Sequence, residues 1–481
     1  MTKSMPLEPI RRQCRIRVLA LLAFALAAWT TGAAAQSAAT LRLEEGRFFL
    51  EKITVEGVTT FAPEIVVAES LLKTGRVYSE SELRDAVHRI KRLPLVLDVE
   101  FSLKKGSERD RYELVIRVRE TRRWFWGLDL NLAGWSEPVS VSGVETTSFT
   151  ESDLFLIGRR FAAGRYGIAY AALGGADGTI QVGYSNYNLF GRGGFASVSL
   201  GWADCASEDH GPADPSDVGE EGCQTELVGL GLDPTYSNWS ATSDTVRLRL
   251  TLGYPLGGNR SLRLKGSYRA TEFGLRRLAL DTDPERLALV SDRYDVALNL
   301  SWVSNSVDDP VFPTKGALVE VGLDAQSLEA NVFQYDISGD PLAVAAASRS
   351  RQLAALATAT RHWPVGERGA FSLGGEALLG RSRIRDLPGY DLEPLDADVT
   401  VWSTSVSAGY ALFLKRLHTG ERWRELRWES SAQLFASGVA PSLGQDQVPH
   451  YGARVTTGLT YRNTWGVLRF TISWIGLEAT P

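Results

Sequence analysis

The chain has 481 residues and a formal net charge of −5, and no basic run dominates any part of it after residue 35, which argues against a nucleic-acid-binding module. A mean hydropathy of −0.11 argues against a bundle of membrane-spanning helices, which would be far more apolar. The sequence contains no G-x-S-x-G, no G-x-x-x-x-G-K-[ST] and no H-E-x-x-H, and His88, His210, His362, His418 and His450 are widely scattered, so neither enzymatic activity nor a metal or other cofactor is expected.

Arg11, Arg12, Arg15 and Arg17 precede an apolar run from Val18 to Ala28, and Ala33-Ala34-Ala35 supplies a small-residue cleavage site before Gln36. Residues 1–35 therefore read as a secretory signal that is removed. Cys205 and Cys223 remain, and an even pair in an exported chain suggests one disulfide. The segment between them is acidic and rich in Gly and Pro, as in a pinned external loop. A divalent-metal site from Asp204, Glu208, Asp209 and Asp214 is the alternative, although the spacing matches no defined metal loop.

Residues 47–120 read as strand, helix, helix, strand, strand. Phe49, Ile53 and Val55 alternate in the first strand, Gly57 supports a turn, and Pro63 opens a helix running through Leu72 to a stop at Gly75. Ser79 with Glu82 forms a capping-box pattern, and Leu83, Ala86, Val87, Ile90 and Leu93 give a helical apolar face ended by Pro94. Val99, Phe101 and Leu103, then Leu114, Ile116 and Val118, alternate as two strands around the KKGSERD turn. The ordered pieces I-x-V-x-G (Ile53, Val55, Gly57), L-x-x-G (Leu72 to Gly75) and V-x-E (Val118 to Glu120) make this segment resemble a POTRA domain. The resemblance implies a strand edge that takes up extended polypeptides by β-augmentation, and the candidate edge is Asp98, Val99, Glu100, Phe101, Ser102 and Leu103.

The period changes at residue 121. Alternating segments separated by turn residues follow, at 124–133, 139–150, 160–171, 178–188, 193–203, 243–254, 259–270, 291–304, 316–329, 350–363, 369–381, 399–413, 425–437, 450–462 and 466–476. Short turns such as 255–259 and 364–369 alternate with long polar links such as 204–242 and 382–398, the asymmetry of an outer-membrane barrel. Of the 13 Trp residues only Trp29 precedes Trp124, and many of the other twelve stand near strand ends, where an amphipathic ring suits the bilayer interface. Single-chain bacterial barrels close with an even number, so fifteen strands call either for one more, for instance near Thr225 to Leu232, or for an unusual closure. The fold class is thus an α+β domain at 47–120 followed by an all-β transmembrane antiparallel barrel of about 16 strands at 121–481.

The barrel half is similar to the BamA/TamA superfamily, the bacterial surface antigens. The segment Asp308 to Gly316 matches the family turn D-x-P-x-F-P-x-x-G through Asp309, Pro310, Phe312, Pro313 and Gly316, and Ser185 to Gly194 matches a second turn. The family's lumen loop carries R-G-F or R-G-Y, whereas this chain has Leu387-Pro388-Gly389-Tyr390, with Arg383 or Arg385 as nearby replacements for the arginine and Asp386 or Asp391 as local partners. The acid the arginine would meet is also missing from Gln433 to Gly438, as expected if the ion pair has been given up as a unit. The resemblance also implies a seam between first and last strands, here Trp126, Leu128 and Leu130 against Phe470, Ile472 and Trp474. It implies an assembly, insertion or translocation factor whose POTRA domain passes unfolded clients to the barrel, with membrane lipid and a periplasmic or inner-membrane protein as further partners. The altered loop supports the alternative of a passive channel or structural barrel.

Overall fold

The computed structural model describes residues 46–131, 139–141, 144–146, 153–174, 179–191, 193–207, 239–277, 288–335, 341–388, 395–419, 422–441 and 450–476. The signal segment, Cys223, Gly389, Tyr390, Asp391 and the candidate strand 225–232 lie outside these residues.

The N-terminal unit is a four-stranded sheet covered by two helices. Strands β1 (Arg47–Glu56), β2 (Arg76–Ser79), β3 (Val96–Lys105) and β4 (Arg111–Glu120) are ordered β2-β1-β4-β3, with β1 and β4 parallel and the outer pairs antiparallel. Helices α1 (Pro63–Ser70) and α2 (Glu80–Lys91) bury Ile65, Val66, Leu83, Ala86 and Ile90 against Leu50, Leu114 and Ile116 of the sheet. Pro63 opens α1, where its missing N–H costs nothing. The helix stops before Leu72: Leu71 turns left-handed at φ 58°, and the Ser70 hydroxyl accepts the Leu72 N–H at 3.1 Å. Gly75 takes φ 77° three residues further on, so the chain turns once more to enter β2, a four-residue strand too short to show an alternation. Ser79 and Glu82 form the reciprocal capping box, with the Glu82 carboxylate accepting the Ser79 N–H at 2.7 Å.

Fifteen strands then form a closed barrel: β5 (Trp124–Asn131), β8 (Asp153–Ala162), β9 (Gly167–Gly174), β10 (Thr179–Leu189), β11 (Gly194–Ser207), β12 (Trp239–Gly257), β13 (Arg260–Arg277), β14 (Ala288–Asn305), β15 (Gly316–Tyr335), β16 (Pro341–Val365), β17 (Gly369–Pro388), β18 (Leu395–Thr419), β19 (Arg422–Pro441), β20 (His450–Asn463) and β21 (Gly466–Gly476). Two differences from the sequence reading cancel in the count. The expected strand at 139–150 is only a hairpin, β6 (Val139–Val141) with β7 (Val144–Thr146), outside the barrel ladder. The expected strand at 160–171 is instead the end of β8 and the start of β9, separated by a turn in which Gly164 has φ 78°. Consecutive strands are antiparallel, so an odd number sends the last the same way as the first, and β21 closes on β5 in parallel.

Alternate residues face outward and are apolar. On β17 and β18 this belt runs from Phe371 to Leu379 and from Tyr410 to Trp402, in paired register. Nine residues rise about 30 Å along the strand, or about 23 Å after a tilt of about 40°. That is close to the apolar band of about 25 Å that outer-membrane barrels present, and Trp363 stacks on Phe371 at the edge nearer the N-terminal unit with ring centroids 5.8 Å apart. Ile90→Ala is expected to destabilise the N-terminal unit by about 2–5 kcal/mol, read as faster amide exchange in α2 with the folded-barrel gel mobility unchanged.

Candidate functional site at the base of the barrel

The N-terminal domain is fastened to the periplasmic turns by side chains of α2. Asp85 accepts the Asn259 amide at 2.6 Å, and Arg92 donates to the Asn259 side-chain oxygen at 3.2 Å and to the Asn305 carbonyl at 3.1 Å. Arg89 bridges the Gly258 carbonyl of the same turn and, at 2.6 Å, the Ser70 carbonyl at the end of α1. On the α1 side Arg165 pairs with Glu64 at 3.3 Å. Gly193, at φ 72°, sits so close to Leu71 and the Ala68 carbonyl that a Cβ would collide there. Arg89 and Arg92 thus supply charged donors to carbonyls at a helix end (Ser70), in a turn (Gly258) and at a strand end (Asn305). At the same junction burial raises the Glu69 carboxyl to about 7, although Arg92, Arg89 and the barrel's Arg263 pull it down.

The turn between β14 and β15 folds into the barrel base and packs on the inward faces of β18, β19 and β20. Asp308 accepts the Thr314 and Lys315 N–H groups at 2.9 and 3.0 Å, and Asp309 accepts those of Val311 and Phe312 at 2.8 Å. Gly316 takes φ 106°, with the Ser306 backbone where a Cβ would stand, so the corner admits only glycine. This geometry drives Phe312 inward, 1 % exposed, edge-on to Phe413 at 5.6 Å and with Arg462 over its ring at 4.6 Å. Arg462 forks to Asp309 at 2.8 and 2.7 Å and also binds Glu425 at 2.6 and 3.0 Å. His418 completes the group, 3.0 Å from Glu425 and stacked on Trp423. Burial would raise the Asp309 carboxyl, but Arg462 and the turn's N–H groups hold it below the ordinary carboxylate range. The family-turn residues are thus a plug against one side of the lumen base, held by an arginine five strands away.

Two further groups of candidate residues lie on edges. Strand β3 is the outer strand of its sheet, with Asp98 to Leu103 along the free side. The Val99 N–H is taken by the Asp98 carboxylate at 2.9 Å, Val99 is buried, and Glu100 points to solvent. At the seam Trp126, Leu128 and Leu130 pair with Gly466, Leu468 and Phe470. Ile472 and Trp474 lie beyond the level of Asn131 and, among the described residues, pair only with β20, at Thr457 and Val455. Cys205 is in β11 opposite Ser243.

The lumen-arginine expectation is corrected. Arg383 and Arg385 continue the outward face of Leu379 without a register break and pair with Asp396 on β18, Arg383 at 2.9 and 3.0 Å and Arg385 at 3.2 Å. Asp386 pairs in register with Ser348 and Leu395, and Pro388 ends β17 opposite Ala346. The sequence reading did not find Asp85, Arg89, Arg92, Glu425 or Arg462. For Glu425 and Arg462 a signal existed: they occupy inward positions alternating with outward Leu426 and Tyr461, a charged phase beside an apolar one. Among the described residues no group of three or more His, Cys, Asp or Glu is arranged to hold a metal ion.

Residues 48–121 match the POTRA family model, described as the surface antigen variable number repeat. No curated protein sequence matches the chain. Among solved structures, BamA from Haemophilus ducreyi lacking POTRA domains 1–3 overlays with a TM-score of 0.37 at 12% identity, covering 89% of this chain and 85% of that one. CdiB from Acinetobacter baumannii gives 0.35 at 10% identity (90% and 74%), and the unliganded ferric citrate transporter FecA gives 0.34 at 9% (75% and 59%). Overlays this weak do not separate one barrel class from another, and the architecture rests on the strand ladders. A POTRA domain joined to a closed barrel with an apolar outer belt places the chain in the outer membrane, with the POTRA domain in the periplasm.

Arg462→Ala, which strands Asp309 and Glu425 at the base, is expected to lower barrel stability by about 3–5 kcal/mol, read as the denaturant midpoint of the gel-mobility shift. Between pH 4.5, the ordinary value, and about 7 the buried Glu69 of the folded protein holds a proton that the unfolded chain does not. Its contribution to stability is therefore complete below pH 4.5 and lost as pH rises through about 7. Protection of the α1 amides, corrected for base-catalysed intrinsic exchange, should fall across that window, and Glu69→Gln should keep it high at pH 8.

Proposed function

We propose that this POTRA-plus-barrel outer-membrane protein is a non-enzymatic assembly or translocation factor that receives unfolded polypeptide on the free edge of β3 and hands it to the barrel. The observation that carries this reading is the placement of that edge. The domain is fastened beneath the mouth through α2, which among the described residues leaves β3 with no strand partner on one side. An extended client adds there as a further strand, as in other cases of β-augmentation. No chemistry is required, because burying the client's apolar strand faces in lipid and pairing its backbone groups supplies the driving force.

A second reading is favoured by Arg383 and Arg385 on the outer face and by Pro388, which leave the lumen without the loop arginine of the family pattern. In that reading the barrel is a passive channel and the POTRA domain a spacer.

The test uses the full chain in liposomes with a photo-crosslinking residue at Glu100, compared with one at Arg109 in the β3–β4 turn. Crosslinks from Glu100 to an unfolded outer-membrane client, together with client assembly that slows when Asp85→Ala and Arg92→Ala loosen the domain, support the first reading. A steady conductance with no Glu100 crosslink and no client assembly supports the channel.

A further inference from the structure

The outward face of β16 and β17 carries an arrangement that folding alone does not explain. Above the apolar belt, where Leu353 and Leu379 are the last large apolar residues, the outward positions become Arg349 and Arg351 on β16 and Arg381, Arg383 and Arg385 on β17. The register sets Arg351 directly opposite Arg383 and Arg349 directly opposite Arg385. Like charges at directly opposed positions destabilise a sheet, and here two successive rows do so. Carboxylates relieve part of the repulsion: Glu329 on β15 pairs with Arg349, and Asp396 on β18 pairs with Arg383 and Arg385. Arg351 and Arg381 are exposed and have no carboxylate partner among the described residues. They are diagonal neighbours on adjacent strands, with Cα atoms about 7–8 Å apart, a spacing at which two guanidinium forks reach one tetrahedral anion.

Height identifies the anion. β17 starts at the periplasmic turn 366–368, so Arg381 to Arg385 lie at its outer end, just beyond the nine-residue apolar belt, at the level of the headgroups of the outer leaflet. We propose that Arg351 and Arg381, flanked by Arg349, Arg383 and Arg385, bind a phosphate of the phosphorylated glycolipid that forms the outer leaflet. Its acyl chains lie down the Leu353–Leu379 face while the guanidinium groups grip the phosphate bidentately, a contact that a lysine could not reproduce. Glu329, Asp396 and Asp398 limit the net charge of the patch, which gives a localised site rather than a broad attraction to any anionic surface.

The test reconstitutes the full chain in zwitterionic nanodiscs and measures, by native mass spectrometry, retention of three probes: bisphosphorylated lipid A, the same glycolipid with both phosphates removed, and phosphatidylglycerol. The wild-type protein is expected to retain bisphosphorylated lipid A about tenfold better than either of the others, given the strength of bidentate arginine–phosphate contacts. Arg351→Gln with Arg381→Gln should abolish that preference, while Arg361→Gln, on the same outward face at the periplasmic end of β16, should preserve it. Equal retention of phosphorylated and dephosphorylated glycolipid by the wild-type protein overturns the proposal without recourse to any variant. Retention of phosphatidylglycerol as strong as that of lipid A overturns it in favour of a general anionic surface, and an unchanged preference in the double variant overturns the assignment to these two residues.

Discussion

Backbone groups in a hydrocarbon layer have no water to bond, so a spanning sheet must pair its own two edges. Everything beyond residue 121 answers to that requirement. With fifteen hairpin-linked strands the first and last point the same way, and the only available closure is parallel. Six residue pairs join β21 to β5, whereas ten join β21 to β20, and parallel ladders are slightly weaker per residue. Closure is therefore complete around the ring but thinnest at one place. That place is also tied from below: Arg122 and Trp126 donate to the carbonyls of Thr464 and Trp465 at 2.9 and 3.0 Å, so the linker from the POTRA domain reinforces the final hairpin.

The same requirement divides each strand into two phases with different physics. Outward side chains meet lipid and are apolar, while inward ones enclose a space that must be filled or satisfied. At the base it is filled by a turn rather than by core residues. Phe312 supplies the apolar volume, and Asp309, Glu425 and Arg462 satisfy one another around it. An arginine with two carboxylates and an aromatic face uses most of its donors and its π surface at once, which is how a charge tolerates such burial. The POTRA domain meets the barrel through similar chemistry, with guanidinium groups placed on carbonyls in a turn and at a strand end.

Legibility in the sequence followed how local each determinant is. The capping box at Ser79, the Asp309–Gly316 corner and the alternation of β10 to β21 depend on neighbours within a few residues, and their order made the fold readable. The turn at Ala163 was hidden because the alternation on its two sides reads as continuous, and β2 because four residues are too few to show a period. Arg462 meeting Asp309 joins positions 153 residues apart, and no spacing rule reaches that far. The exterior position of Arg383 and Arg385 is hidden for another reason: the polar composition of 382–398 reads as a loop, and only the extension of β17 to Pro388 fixes which face those residues occupy. Candidate residues at edges and seams were legible as strands, while their roles depend on what meets them.

The apolar belt from Phe371 to Leu379 has a consequence for the surroundings rather than for the chain. A band about 23 Å tall is shorter than the roughly 30 Å core of an average bilayer, and strands locked in a closed ladder cannot tilt individually to make up the difference. In a bilayer of average thickness the lipid would have to do the adjusting, with the two leaflets drawn together around the barrel. The bacterial outer membrane is thinner than that average, so the length of nine residues suits the barrel to it and penalises residence in a thicker membrane.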